Sequence, residues 1–248
     1  LAVFQQVFDR WSEITGVSYV YEPNDDGVPL FGSSGVLGVR ADVRIGGHAI
    51  DGSYGVLAYN YYPNNGDMVL DTADAFYSNT SNGSIRLRNT LAHEHGHGLG
   101  FAHSCPINQT KLMEPYLTTA FDGPQLDEIL GGTRLYGDDL EHNDAVANAS
   151  DLGSLGNGTI TLRDLSVDDD ADSDWFGFAV SAGKKASVTV TPRGATYLMG
   201  AQNNDGSCSA GTSFDSLVLN DVAVQVLDAN GSTVLGNANA NPAGVAES

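Results

Sequence analysis

The chain has 248 residues, of which 31 are acidic and 11 basic, for a formal net charge of −20. That balance argues against a nucleic-acid partner, which needs a basic patch on the protein. The 41% hydrophobic content and clear periodicity exclude a wholly disordered chain, and the lack of any run of about 18 apolar residues excludes a membrane-spanning helix.

The length suits one large domain or two moderate ones, each with its own core. The chain opens at Leu1 inside an amphipathic pattern, with no signal peptide, as a processed or trimmed fragment would. Val3, Phe4, Val7, Phe8, Trp11 and Ile14 recur at helical spacing and predict a helix over 1–15 that stops before Gly16. Val17 to Tyr21 and Val36 to Ile45 alternate as strands do, on either side of the turn-rich Pro23-Asn24-Asp25-Asp26-Gly27. Val56 to Tyr62 predicts a further strand, closed by Pro63-Asn64-Asn65-Gly66. Ser84 is a candidate N-cap for a helix from Ile85 to Leu99. Leu126, Ile129, Leu130 and Leu135 predict a last helix over 125–136, ended by Gly137.

From about residue 140 helical periodicity disappears. Short β-type runs follow at Thr159 to Leu162, Trp175 to Val180, Ala186 to Thr191 and Val222 to Leu227, punctuated by Asp, Asn and Gly. This predicts an all-β sandwich over 140–248 after an α+β unit over 1–139. The tail after Ala229 shows no closing strand and reads as a truncated second domain.

Four of the six histidines fall within His93-Glu94-His95-Gly96-His97-Gly98-Leu99-Gly100-Phe101-Ala102-His103. On a helix, His93 and His97 share one face and present imidazoles to one ion. Glu94 stands at the edge of that face, where a carboxylate reaches a water without ligating. Gly100 lets the chain leave the helix and turn His103 back as a third ligand. Three neutral nitrogens with one open position is the arrangement of catalytic zinc, whereas structural zinc takes four protein ligands and favours Cys. His95 points away from the shared face and reads as a packing or surface residue; His48 and His142 are isolated.

The pattern His93-Glu94-x-x-His97-x-x-Gly100-x-x-His103, followed by Leu112-Met113-Glu114-Pro115, resembles a metzincin with its Met-turn, and specifically a matrixin. Trp11-Ser12-Glu13-Ile14-Thr15 resembles the end of the matrixin first helix, Ala41-Asp42-Val43-Arg44-Ile45 its third strand, and Leu135-Tyr136-Gly137 the close of its last helix. The resemblance covers about residues 1–139. It implies the α+β metzincin fold, a twisted mixed sheet with an active-site helix and a C-terminal helix. Relative to that pattern, the strand before the first helix is missing. Pro115 runs directly into Tyr116, and no Tyr stands two residues after Met113, unlike astacins and serralysins.

The resemblance also implies a zinc-dependent endopeptidase acting on extended polypeptides, with Glu94 as general base, His93, His97 and His103 as zinc ligands, and Met113 as an apolar floor. Gly55, Val56, Leu57, Ala58 and Tyr59 match the edge strand along which a peptide substrate lies. The family's calcium pattern survives in Asp51, Asp71 and Asp74 with the carbonyls of Gly52, Tyr54 and Val56, while Tyr59 and Val69 stand where structural-zinc histidines are expected. One catalytic zinc and one structural calcium are therefore expected, in a monomer.

Asp172-Ser173-Asp174-Trp175-Phe176-Gly177-Phe178-Ala179-Val180 with Ala182-Gly183 resembles the bacterial pre-peptidase C-terminal domain, which implies a secreted, extracellular bacterial enzyme. The acidic run from Asp168 to Asp174 reads either as a calcium site or as a solvated loop. Cys105 and Cys208 form one bridge or remain two thiols; a bridge would join the two domains beside His103. A competing function is a zinc-containing binding or adhesion module with weak or lost catalysis, and the presence of Glu94 favours the enzyme. A zinc hydrolase of non-peptide substrates is the third reading.

Overall fold

The computed structural model describes residues 1–167 and 172–248; residues 168–171 of the acidic run lie outside the described residues. Helix α1 spans Ala2–Thr15 and turns Val7, Trp11 and Ile14 inward. It ends at Gly16, whose φ of 60° is left-handed. A Cβ there would also stand 2.5 Å from the Asp138 carbonyl oxygen, so both conformation and space require glycine.

Residues 17–44 depart from the strands expected of them. Val17 to Tyr21 joins no ladder, and Val36 meets Arg40 in a tight isolated bridge, so pairing begins only at Ile45. The alternation has another cause. Tyr19 turns its ring onto Phe8 and His95, with centroids 5.0 and 5.2 Å away, and so straps the segment over the helices. Farther on, Arg44 and Asp67 form a buried ion pair at 3.1 Å; the Arg44 guanidinium also donates to the carbonyls of Val28 and Pro29.

Strands β1 (Ile45–His48), β2 (Ala58–Asn60) and β3 (Met68–Asp71) form one mixed sheet in the order β1-β3-β2, with β1 parallel and β2 antiparallel to β3. The expected strand over 56–62 is therefore shorter, and β2 is an edge. Helix α2 (Ser81–Gly98) becomes regular only at Ile85, because Asn82, Gly83 and Ser84 carry positive φ of 51°, 65° and 63°. Ser84 is thus not an extended N-cap. Arg88 collects the carbonyls of Asn82 and Gly83 with its guanidinium and holds that turn.

Strand β4 (Ser104–Cys105) follows α2, and helix α3 (Leu126–Tyr136) ends at Gly137 with φ 75°. The three helices and the sheet enclose one core of Val7, Trp11, Ile14, Met68, Leu91, Ala92, Leu99 and Leu112. Trp11 crosses it and donates its Nε1 proton to the Ala92 carbonyl at 3.2 Å, tying α1 to α2.

After Tyr136 the described elements are strands and short 3₁₀ turns. Strand β5 (Ser150–Leu155) runs parallel to β6 (Phe176–Val180), β7 (Thr196–Ala201) pairs antiparallel with β8 (Thr212–Asp215), and β9 (Val224–Leu227) pairs antiparallel with β10 (Val234–Ala238). Thr159 to Leu162 forms no strand, and Ala186 to Thr191 contributes only a bridge from Val190 to Glu247. That bridge and β10 correct the expectation of a tail without a closing strand. Asp228 makes the turn into β10 by accepting from the backbone N–H groups of Asn230, Ser232 and Thr233.

Strand β7 also pairs with β4, placing Ser104 opposite Ala201 and Cys105 opposite Gly200. Cys105 and Cys208 are disulfide-bonded across 103 residues of chain. The C-terminal half is thereby fastened at the residues that follow the third histidine.

Candidate metal centre

Helix α2 carries His93, Glu94 and His97 on its last turns. The helix closes through Gly100 N–H to the His97 carbonyl and Phe101 N–H to the Gly96 carbonyl, at 2.9 and 3.0 Å. Gly100 takes φ 101°, and the chain reverses to bring His103 to the other two. The three imidazole centroids lie 4.9, 5.2 and 4.8 Å apart, a nearly equilateral triangle. One ring nitrogen from each lies within 4.8 Å of the others.

The outer nitrogens set the chemistry of the inner ones. His93 Nδ1 donates to the Leu112 carbonyl at 2.8 Å and His97 Nδ1 to the Phe101 carbonyl at 2.7 Å. His103 Nδ1 lies 2.9 Å from Gln202 Oε1. A proton on each Nδ1 leaves a lone pair on each Nε2. The Nε2 atoms of His93 and His103 are 3.2 Å apart. Two lone pairs at that distance, with no proton between them, call for a cation, so the residues fit a zinc ion. Burial, followed by the neighbouring His97, holds the His93 imidazole down to about 3, and burial lowers His97 as well. Both rings therefore stay neutral, as a ligand must.

Glu94 is 7% exposed, and burial pushes its carboxyl up to about 8. A carboxyl raised this far exchanges a proton near neutral pH. His95 faces the opposite way: its Nε2 lies 2.7 Å from the Tyr19 hydroxyl and its ring packs on Phe8 at 4.6 Å. It is a packing residue and not a surface one.

Met113 is buried beneath α2. A Cβ on Gly96 would stand 2.5 Å from the Met113 sulfur, so the glycine between His95 and His97 is what admits the thioether. Two further groups fix the loop. Glu128 Oε1 accepts from Met113 N–H and Oε2 from Gln125 N–H, both at 2.9 Å. Glu114 accepts from the N–H groups of Asn108, Gln109, Thr110 and Lys111, and these bonds outweigh burial and lower its pKa. The sequence motif assigns no role to Gly96, which lies inside it, or to Glu128 and Gln202, which lie outside it. Only Glu128 carried a local signal, at the third position of α3.

With this geometry in view, the comparison with known sequences is decisive: the matrixin family model matches residues 1–137. The chain belongs to the matrixin family. Among its relatives are Metalloendoproteinase 1-MMP of Arabidopsis thaliana, 30% identical over 66% of this chain and 45% of the relative, and Metalloendoproteinase 4-MMP of the same plant, 31% identical over 54% and 39%. The Hatching enzyme of Paracentrotus lividus is 33% identical over 54% of this chain and 22% of its own. The chain spans less than half the length of each of these relatives.

In this matrixin the expected substrate strand is only partly a strand. Ala58 and Tyr59 lie in β2, whereas Gly55, Val56 and Leu57 lead into it through an irregular segment. The expected calcium residues surround the same segment, but their carboxylates are engaged with backbone donors. Asp71 accepts from Ile50, Asp51, Gly52 and Ala73; Asp74 accepts from Tyr54 and Phe76; Asp51 accepts from Val56. Burial opposes ionisation of Asp71, and its four N–H partners prevail, taking it down to about 2. Gly52, Tyr54 and Val56 thus meet these acids through N–H groups and not through carbonyls. A different trio of carboxylates, Asp138, Glu141 and Asp174, converges within 4.8 Å where α3 leads into the β-rich half.

Proposed function

We propose that this matrixin is a zinc-dependent endopeptidase with Glu94 as general base. The observation that carries the reading is the triangle of inward Nε2 lone pairs on His93, His97 and His103, with Glu94 next to His93 on the same helix. Zinc, when bound, supplies a Lewis acid that acidifies a water and polarises the scissile carbonyl. Glu94 would take a proton from the attacking water and return it to the departing amine. The open edge of β2 offers backbone groups to an extended polypeptide, which it would bind as an added strand. Met113 supports the ligand helix from below and excludes water there.

The same reading makes residues 1–139 the catalytic unit and 140–248 an appended β-sandwich of the pre-peptidase C-terminal type. The change from helices to strands after Tyr136 supports that division. It makes the protein a secreted monomer; the disulfide, of the kind that persists outside the cytosol, supports the secreted part of that reading. It also puts a structural calcium on the acidic loop of Asp51, Asp71 and Asp74.

Glu94→Gln tests the mechanism. The variant is expected to keep one zinc per chain while losing about 10²–10⁴-fold in peptide-bond hydrolysis. His97→Ala should lose both metal and activity. Near-normal proteolysis by Glu94→Gln would falsify the assignment of the base.

A further inference from the structure

Two of the three histidines are oriented by backbone carbonyls of the family-matched segment, Leu112 and Phe101. The third takes its partner from a residue 99 positions away and outside that segment: His103 Nδ1 faces Gln202 Oε1 at 2.9 Å. Which end of an amide faces a partner follows from what the other end does. Here Gln202 Nε2 donates to the Gly206 carbonyl at 2.7 Å, so the oxygen is the atom turned to His103. An oxygen can only accept, so Nδ1 carries the proton and Nε2 presents its lone pair inward.

The placement of Gln202 is enforced from three directions. Strand β7 ends one residue before it, with Ala201 registered opposite Ser104. Gln202 itself bridges to Cys208, and Cys208 is bonded to Cys105, two residues beyond the histidine. Both ends of the 202–208 loop are thus fastened to the chain that carries His103.

We propose that Gln202 is a positioning residue for the third metal ligand, so that the segment 196–208 completes the zinc site. This rests on the zinc reading of the three histidines. Outer hydrogen-bond partners of this kind fix ring orientation and ligand basicity, and their loss typically lowers metal affinity about 10–100-fold.

The test is zinc competition against a chromophoric chelator, performed on the full, disulfide-intact chain. Gln202→Leu keeps the bulk but offers no acceptor, and should weaken zinc binding about 10–100-fold. Gln202→Glu restores an acceptor opposite Nδ1 and should bind zinc within about threefold of the parent. The cobalt-substituted parent and Gln202→Glu proteins should share a visible spectrum that Gln202→Leu alters. Metal-free melting temperatures separate this from misfolding, because the two variants, which both lose the bond to Gly206, should melt together and differ only in the acceptor opposite His103. Equal zinc affinity in parent and Gln202→Leu overturns the proposal and leaves the zinc reading standing. Equal losses in the leucine and glutamate variants overturn it too, since packing alone would then explain them. A parent that binds no zinc overturns both.

Discussion

Glu128→Ala should loosen the loop that carries Met113. The carboxylate is 1% exposed and accepts two hydrogen bonds at 2.9 Å, from Met113 N–H and Gln125 N–H. Hydrogen bonds to a charged acceptor contribute about 1.5–3 kcal/mol each, and a buried N–H left without a partner costs about 1–3 kcal/mol more. Part of that loss is returned, because burial raises the Glu128 pKa and the variant no longer buries a charge. A net destabilisation of about 3 kcal/mol remains, or roughly 6–12 °C for a chain of this size. Glu128→Gln keeps one acceptor and should lose about half as much. Urea denaturation with both variants and the parent measures the difference. Because Met113 packs beneath Gly96, the alanine variant should also surrender zinc to a chelator faster than the parent. A loss below about 1 kcal/mol would refute the reasoning, since surface carboxylates away from such contacts cost no more.

The buried pair of Arg44 and Asp67 offers a second test: Asp67→Asn leaves a guanidinium that is 5% exposed with the Val28 and Pro29 carbonyls and the more distant Asp25 carboxylate, and should cost about 1.5–3 kcal/mol in the same denaturation. Acid should act through Asp71, whose pKa falls from 3.8 to about 2 on folding; its contribution is complete above pH 4 and disappears as pH drops towards 2. Asp174 has the opposite sign. Burial, then the charges of Asp172, Glu141 and Asp138, raise it to about 7, so the folded state holds that proton more tightly and stability declines as pH rises from 3.8 through 7. Asp174→Asn should therefore melt above the parent at pH 8 and level with it at pH 3, and an unchanged melting profile would rule this out. Calcium should raise the melting temperature of the parent and of Asp174→Asn but not of Asp51→Asn; no rise in the parent would eliminate the loop as a calcium site. Asp51 is the better variant, because Asp71 supports four backbone N–H groups with or without an ion.

Much of the metal centre was legible in the order of residues, because it depends on spacing. The i, i+4 relation of His93 and His97 and the glycine at 100 are local properties, and they bring the ligands together whatever surrounds them. Helices α1 and α3 were equally plain, since amphipathic periodicity and a glycine stop are short-range signals. The strands were read less well. Alternation over 17–21 and 36–45 looked like pairing, but a period of two says only that side chains face opposite ways. Tyr19 uses that geometry to cover His95 instead of joining a sheet.

Tertiary structure alone decided how the two halves meet. Two cysteines leave bridge and thiols open, and only the pairing of β4 with β7 explains why Cys105 and Cys208 lie together. Gly96 seemed an ordinary motif residue until Met113 was found against it, because a missing side chain signals nothing until its neighbour is known. Gln202 gave no sequence signal at all. Its role comes from a hydrogen bond across 99 residues, and a contact between distant residues has no period, spacing or composition by which a chain could announce it.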